Sequence, residues 1–269
     1  MYMKYLLEVK DLKKDYEIRK GIFKRRETVH AVKNISFKIH RGQIVGLAGE
    51  SGSGKTTVAK IITKIEAPTC GSVQFNGVRI DNIKEREFLK YRTDIQMIFQ
   101  NPFASMNPKL KLKTSLLEAP VINKLYLKKE AQDRLINFMK EFGLKSEILK
   151  RFPGEVSGGE LQRLSIIRAL SVNPKFLIAD EIVSALDVPV QIRILKLLKK
   201  LQKNYKLSIL FISHDLSVIK NIADRVVILK NGNIVEENLT EKIFLNPEHE
   251  YTRQLVNSVP SLNGLCRNR

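Results

Sequence analysis

One short run of residues limits the possible folds more than any other feature of this chain. Residues 49–56 read GESGSGKT and fit the pattern G-x-x-x-x-G-K-[ST] of a phosphate-binding loop. Before them, residues 43–48 form a short, continuously apolar segment, which is typical of a strand buried on both faces in a parallel sheet. After them, residues 55–65 repeat their apolar positions at helical spacing. Strand, glycine-rich loop and helix in this order predict an α/β fold with an anion site.

The loop combines the features that a nucleotide site needs. Its small residues let the backbone wrap around a phosphate with N–H groups pointing inward, and the next helix directs its positive end to the same place. Lys55 supplies a charge for the β and γ phosphates, and the Thr56 hydroxyl suits Mg²⁺. Without ATP we expect the Lys55 side chain to point into an empty site, so its removal should leave the fold intact. The expected nucleotide contacts are Gly49, Glu50, Ser51, Gly52, Ser53, Gly54, Lys55, Thr56 and Thr57. The alternative is a glycine-rich turn that binds no nucleotide.

An acidic pair follows a second apolar segment. Residues 176–181 read FLIADE, so a buried strand carries Asp180 to its carboxyl end, where ligands bind in open α/β sheets. We predict that Asp180 holds Mg²⁺ through water and that Glu181 accepts the proton of the attacking water. The alternative is that the pair only caps a helix predicted to begin near Ser184.

A second helix start has the same anion-binding character. Ser157 is a natural N-cap, and Gly158 and Gly159 expose backbone N–H groups at the start of the helix that Glu160 begins. The chain therefore carries two helix ends suited to phosphate.

The rest of the chain predicts how these motifs are arranged. Residues 6–9 alternate weakly and residues 29–39 alternate like a half-buried antiparallel strand, so both are predicted as strands. Residues 113–151 are mainly helical with Gly143 ending one helix, and residues after 160 alternate between strand and helix. We predict an α/β fold with a mostly parallel sheet, an antiparallel N-terminal β part and an inserted helical subdomain. The predicted core, with a C-terminal tail, comprises residues 1–100 and 160–269, and the predicted helical subdomain comprises residues 101–159.

Composition excludes several other classes of protein. The formal net charge is +19, but 31 lysines outnumber 16 arginines and are spread along the chain, which does not favour a nucleic-acid-binding surface. Cys70 and Cys266 stand far apart with no thiol or histidine at metal spacing, so neither a disulfide framework nor a cysteine zinc site is supported. No apolar run approaches the roughly 18 residues of a membrane span, and the charged start is unlike a signal peptide. We expect a cytosolic chain.

The chain contains, in this order, GESGSGKT, Gln100, VSGGE, FLIADE, the Ser-Ala-Leu-Asp run at 184–187 and His214. This ordered set resembles the ATP-binding subunit of an ABC transporter, and the resemblance covers nearly the whole chain. The resemblance implies a P-loop NTPase core that binds ATP and Mg²⁺. It also implies a head-to-tail dimer with two ATP molecules between the subunits, in which residues 157–160 complete the partner's site.

The same resemblance assigns roles to single residues. Tyr16 would stack on adenine, although a core tyrosine at a strand end is the alternative. Gln100 would reach both Mg²⁺ and the membrane partner, and Asp187 would shape the dimer contact. His214 would hold the γ-phosphate, against the alternative of a histidine without a role in binding.

Two stretches narrow the resemblance. Residues 100–108 (QNPFASMNP) and 246–260 (NPEHEYTRQLVNSVP) resemble a loop and the tail of oligopeptide and dipeptide importer ATPases, and the basic loop at 18–27 resembles the longer of their two ATPase subunits. Nickel and metallophore importers share these features, so the cargo stays open. The implied partners are a paralogous ATP-binding subunit or a second copy, permease subunits and, indirectly, an extracellular substrate-binding protein, with the chain peripheral on the cytoplasmic face of the membrane.

A rival of another class is a soluble ABC ATPase that acts on nucleic acid or ribosomes. That class usually needs a long coiled coil or two ATPase domains in one chain, and neither fits in 269 residues. Departures from the family pattern include Glu160, where a carboxylate is expected to weaken nucleotide binding slightly, Ile182 in place of proline, and Glu250 in the tail. Some relatives hold an iron–sulfur cluster on several C-terminal cysteines; with Cys266 alone we predict none.

Overall fold

The computed structural model describes residues 5–19, 26–184 and 186–259, with helices and strands in an α/β arrangement. The strands are β1 Tyr5–Arg19, β2 Arg26–His40, β3 Ile44–Ala48, β4 Cys70–Phe75, β5 Val78–Arg79, β6 Ile95–Ile98, β7 Phe176–Asp180, β8 Ser208–Ser213, β9 Arg225–Lys230 and β10 Asn233–Leu239. The α-helices are α1 Lys55–Ile62, α2 Glu85–Phe88, α3 Leu112–Ile122, α4 Lys128–Glu141, α5 Gly158–Leu170, α6 Val188–Tyr205, α7 Leu216–Ile222, α8 Thr240–Leu245 and α9 Glu250–Asn257. Cys266 lies outside the described residues.

A six-stranded sheet forms the centre, in the order β10-β9-β3-β8-β7-β6. β10 is antiparallel to β9, and the other neighbours are parallel. Every residue of β3, β7 and β8 is buried, which explains why these strands read as continuous apolar runs. Because the parallel strands point the same way, the loop after β3, the acidic pair after β7 and His214 after β8 meet at one edge. This sheet confirms the predicted α/β class.

A four-stranded antiparallel sheet, in the order β2-β1-β4-β5, covers one face of the central sheet together with α1. Leu12 and Val32 of this second sheet share a buried cluster with Ile62 of α1 and Leu210 of β8. β1 is much longer than the strand predicted from residues 6–9. The basic loop predicted at 18–27 is correspondingly shorter, because residues 18–19 end β1 and 26–27 begin β2; its residues 20–25 lie outside the described residues.

Helices α3, α4 and α5 pack together beyond the other face of the central sheet. α4 ends where expected, with Gly143 in the left-handed region at φ 65° just after the helix. α5 begins at Gly158 and runs to Leu170, so it crosses the predicted boundary between residues 159 and 160. The division of the chain into core and helical subdomain stays a prediction. In the described part of the chain, no helix is both long and apolar enough to cross a membrane.

Candidate functional site

A groove of about 600 Å³ opens at the carboxyl edge of the central sheet. It is bordered by the loop between β3 and α1 and by side chains that follow the neighbouring strands. Its lining residues are Ala31, Glu50, Ser51, Gly52, Gly54, Lys55, Thr56, Thr57, Gln100, Glu181, His214 and Leu255. The structure therefore brings most of the sequence-predicted contacts of the loop together with Gln100, Glu181 and His214.

Two glycines make the loop possible because its backbone packs directly on other backbone. At Gly49, with φ 148°, an added Cβ would lie 2.1 Å from the carbonyl oxygen of Leu229 in β9. At Gly54, with φ 106°, an added Cβ would lie 2.4 Å from the carbonyl oxygen of Ala31 in β2. No side chain fits at either position, so the path of the loop is fixed by both sheets.

The Lys55 side chain is buried against its own loop. Its Nζ donates hydrogen bonds of 2.8 Å to the carbonyl oxygens of Gly49 and Glu50. Burial lowers the pKa of Lys55, while the nearby carboxylates of Glu181 and Asp180 oppose that shift. This corrects the expectation that the Lys55 side chain points into an empty site, because the ammonium ties the two ends of the loop together.

Asp180 lies at the end of β7 and is 2% exposed. Burial raises the pKa of its carboxyl, and a hydrogen bond with the Thr56 side chain acts in the opposite direction. Its Oδ1 is buried and has no hydrogen-bond partner among the described residues. A buried carboxylate oxygen without a partner is costly, so Asp180 carries an unused ligand atom beside the loop.

Glu181 is held by the strands on both sides of β7. Gln100 Nε2 donates a 2.7 Å hydrogen bond to Glu181 Oε2, and His214 Nδ1 lies 3.0 Å from Oε1. The Glu181 backbone is in the left-handed region at φ 49°, where its N–H donates to the carbonyl of Ile212 at 3.0 Å. Such a conformation is unusual outside glycine and often marks functional sites. The acidic pair does not cap the next helix, because α6 begins at Val188.

Tyr16 lies beside the groove and is not one of its lining residues. Its hydroxyl donates to the Glu66 carboxylate and also bonds the Thr57 side chain, and Lys14 Nζ lies 4.9 Å from the centre of its ring. The ring is partly buried, and this burial raises the pKa of Tyr16. A role in adenine stacking stays a prediction.

The start of α5 does not line the groove. It consists of Ser157, Gly158, Gly159 and Glu160. Ser157 Oγ accepts from the Glu160 N–H at 3.3 Å, and Glu160 Oε2 accepts from the Ser157 N–H at 2.9 Å. This reciprocal capping box satisfies two backbone donors of the helix start. The bond from the Ser157 backbone lowers the pKa of Glu160. The structure does not bring residues 157–160 to the loop of the same chain.

Comparison with known proteins settles the family. The ABC transporter family model matches residues 32–184. The chain is 41% identical over 263 residues to the dipeptide transport ATP-binding protein DppF of Haemophilus influenzae, covering 97% of this chain and 80% of that protein. It is 40% identical over 257 residues to the oligopeptide transport ATP-binding protein AppF of Bacillus subtilis, covering 95% of this chain and 78% of that protein. The chain belongs to the ABC transporter family.

Solved structures agree with that assignment. The dimeric structure of the bacterial ABC transporter cassette MJ0796 matches with a TM-score of 0.79 and 29% identity, covering 87% of this chain and 98% of that one. The same cassette bound to ADP and Pi, in a post-hydrolysis state, matches with a TM-score of 0.78 and 30% identity. The predicted P-loop NTPase core is confirmed, and this ABC transporter chain is an ATPase that binds ATP.

Two further residues at the groove of this ABC cassette, both on helix α9, are not part of any predicted nucleotide-binding motif. Leu255 lines the groove, and the Tyr251 hydroxyl accepts a 3.1 Å hydrogen bond from the Glu50 N–H in the loop. The sequence of the tail predicts only a resemblance to importer subunits. Its one usable signal was a tyrosine and a leucine four residues apart, which a helix places on one face.

Proposed function

We propose that the chain binds MgATP in the groove and hydrolyses it with Glu181 as the general base. The observation that carries this proposal is the Glu181 carboxylate on the groove lining, oriented by Gln100 and His214. A base must be fixed within hydrogen-bond reach of the water whose proton it accepts, and the left-handed backbone of Glu181 supports that orientation.

The residues beside the loop fit Mg²⁺. Asp180 offers a buried carboxylate oxygen without a partner, the Thr56 hydroxyl bonds the same carboxyl, and the Gln100 amide stands at the groove. Oxygen donors of this kind suit Mg²⁺, which keeps some of its water ligands in protein sites. When bound, Mg²⁺ neutralises charge on the β and γ phosphates. Thr56, Gln100 and Asp180 are therefore the proposed metal-binding residues.

The other polar residues have distinct roles in the proposal. The loop N–H groups and Lys55 bind the phosphates, for which Lys55 Nζ exchanges its bonds to the Gly49 and Glu50 carbonyls. His214 holds the γ-phosphate with the ring nitrogen that does not face Glu181. Glu181 takes the proton of the attacking water at its carboxylate.

A second subunit is needed to complete each site. The N-terminus of α5 is an anion-binding helix end that lies outside the groove of its own chain. It is formed by Ser157, Gly158, Gly159 and Glu160. A head-to-tail pair would place this helix end on the ATP bound by the other subunit. A similar cassette, MJ0796, has a dimeric structure, which supports the pairing.

We propose that the chain powers a membrane importer for dipeptides or oligopeptides. The relatives that support this are named as ATP-binding proteins of dipeptide and oligopeptide transport. The cassette would then work at the cytoplasmic face of the membrane against permease subunits, to which an extracellular protein delivers the peptide. Its proposed partner in the head-to-tail pair is a paralogous ATP-binding subunit.

The test is transport by the reconstituted complex. We expect lipid vesicles that contain the chain, a paralogous ATP-binding subunit and the permease, supplied with the extracellular peptide-binding protein, to take up labelled dipeptide or oligopeptide when ATP is present. Lys55→Ala in this chain should reduce uptake. Uptake of Ni²⁺ instead of peptide would show that this transporter carries metal, as the nickel importers do. If the chain purifies together with RNA in a salt-dependent manner and without a permease, this would favour a soluble ABC ATPase that acts on nucleic acid or ribosomes. A robust, cooperative ATPase from the isolated chain, unchanged by the paralogue, would refute the pairing.

A further inference from the structure

We propose that the C-terminal helix α9 is a positioning element of the phosphate-binding loop and acts through Tyr251. This inference rests on the proposed function, because it assigns to α9 an effect on nucleotide affinity at the same groove. Tyr251 touches no reacting atom in the proposal; it acts on the loop that binds the phosphates.

The contact between helix and loop is direct and buried. Tyr251 is 3% exposed, and its hydroxyl accepts a hydrogen bond of 3.1 Å from the Glu50 N–H, the second residue of the loop. Lys230 Nζ lies 4.4 Å from the centre of the Tyr251 ring. Lys230 directly follows Leu229, whose carbonyl packs on Gly49. The last residues of β9 and the helix α9 therefore both contact the start of the phosphate-binding loop, at Gly49 and Glu50 respectively.

The docking of α9 does not depend on the Tyr251 hydroxyl. The Glu236 carboxylate of β10 accepts 3.0 Å hydrogen bonds from the N–H groups of Glu248 and His249. His249 Nδ1 in turn accepts from the Tyr251 N–H at 3.0 Å and caps the helix. The Arg253 guanidinium donates to the carbonyl of Glu248 at 2.7 Å. These bonds fix the start of α9 without touching the loop, so the hydroxyl can be removed alone.

The same face of α9 borders the nucleotide groove. Leu255 follows Tyr251 by four residues, which is about one helical turn, and it lines the groove. One helix thus supplies both a hydrogen bond to the loop and an apolar wall to the groove.

The expected consequence is on binding and not on the chemical step. A loop that keeps its conformation before the ligand arrives binds more tightly than one that must be ordered by the ligand. Removing one hydrogen bond to the Glu50 N–H is expected to weaken nucleotide binding about 3–10-fold. The groups at Glu181 are held by β6 and β8, so kcat at saturating ATP should change less than about 2-fold.

The experiment compares the full chain with Tyr251→Phe, and with Tyr205→Phe as a matched control on the exposed surface of α6. The affinity for ADP is measured by titration calorimetry, and amide hydrogen exchange is measured on the peptide that contains Glu50. We expect weaker ADP binding and faster exchange at the loop in Tyr251→Phe and not in the control. With the paralogous subunit added, KM for ATP should rise and kcat should be retained.

A second variant, Glu236→Gln, tests the helix without touching the groove. A glutamine cannot accept both N–H groups of residues 248 and 249 through its carboxamide oxygen in the same way, so α9 should dock less firmly and ADP affinity should fall. If the parent chain binds no nucleotide, the proposed function fails. If the parent binds ADP and both variants bind it equally well, with unchanged exchange at Glu50, α9 is only a structural support and the inference is refuted.

Discussion

His214 Nδ1 lies 3.0 Å from Oε1 of Glu181. The other carboxylate oxygen accepts a 2.7 Å hydrogen bond from the Gln100 side-chain amide. His214 follows β8 and Gln100 follows β6, the two strands that flank β7, so the sheet itself sets the orientation of the carboxylate. A substitution that keeps the shape of Glu181 therefore isolates its role as a base.

Glu181→Gln is expected to reduce ATP hydrolysis by about 10²–10⁴-fold, the usual contribution of a general base. ATP should still bind and close the pair of subunits, because the amide keeps the contacts with Gln100 and His214 in place. In a mixture with the paralogous subunit, closed pairs should accumulate and elute at about doubled mass in size-exclusion chromatography with ATP and Mg²⁺. The exposed Glu130→Gln is the control. Turnover at the parent rate would mean that the base is elsewhere, at Asp180 or His214.

Asp180→Asn is expected to make the nucleotide-free chain more stable while it abolishes Mg²⁺-dependent hydrolysis. Burial raises the pKa of Asp180, so the native state disfavours the charged form, and stability is lost as pH rises from the ordinary value of 3.8 through the native pKa. At neutral pH the asparagine of Asp180→Asn carries no charge, so this variant avoids the free-energy cost of burying a charged carboxylate.

A gain of about 0.5–2 kcal/mol is expected, which is a rise in Tm of a few degrees. Thermal unfolding in EDTA measures it, with the exposed Asp133→Asn as the control. A lower Tm in Asp180→Asn than in the control would show that Asp180 is a stabilising residue and that its partnerless oxygen has another explanation.

Lys55→Ala is expected to weaken ATP and ADP binding by about 10-fold or more, since hydrogen bonds to charged groups contribute about 1.5–3 kcal/mol each. Because Lys55 also bonds the Gly49 and Glu50 carbonyls, the loop should exchange its amide hydrogens faster than in the parent. Circular dichroism should remain that of the folded chain. Lys128→Ala, on the exposed start of α4, is the control. Near-normal ATPase activity in Lys55→Ala would refute the proposal that this loop binds the phosphates of ATP.

Local patterns predicted the loop and the acidic pair because each lies in one short stretch after a buried strand. Other features depended on distant contacts. The bond between Glu50 and Tyr251 joins residues 201 positions apart, and no local pattern reports it. The length of β1 was hidden for a different reason: its pairing with β2 shifts register between Val9 and Leu12, and Asp11 adopts φ 49°, so the two-residue alternation is interrupted.

Glu160→Gln tests the second anion-binding helix end. Glutamine also serves in a capping box, so α5 should keep its start, while the negative charge at the positive end of the helix is removed. If this end binds the phosphate of the partner's ATP, the carboxylate opposes that contact. The variant should therefore strengthen ATP-driven pairing about 2–5-fold, from about 0.3–1 kcal/mol at a helix end.

The measurement is the ATP concentration that half-saturates pair formation with the paralogous subunit. To prevent hydrolysis at both sites, Glu181→Gln is present in the tested and the reference chain, and the corresponding base of the paralogous subunit is replaced as well. Because the Ser157 N–H lowers the pKa of Glu160, the carboxylate stays charged above its ordinary value of 4.5, and the gain should be constant from about pH 6 to 8. Glu155→Gln is the control, since Glu155 accepts from the Phe152 N–H at 2.8 Å before a neighbouring turn and not at the start of α5. Pairing that is equally strong with glutamate or glutamine at position 160 would place the phosphate of the partner's ATP away from this helix end.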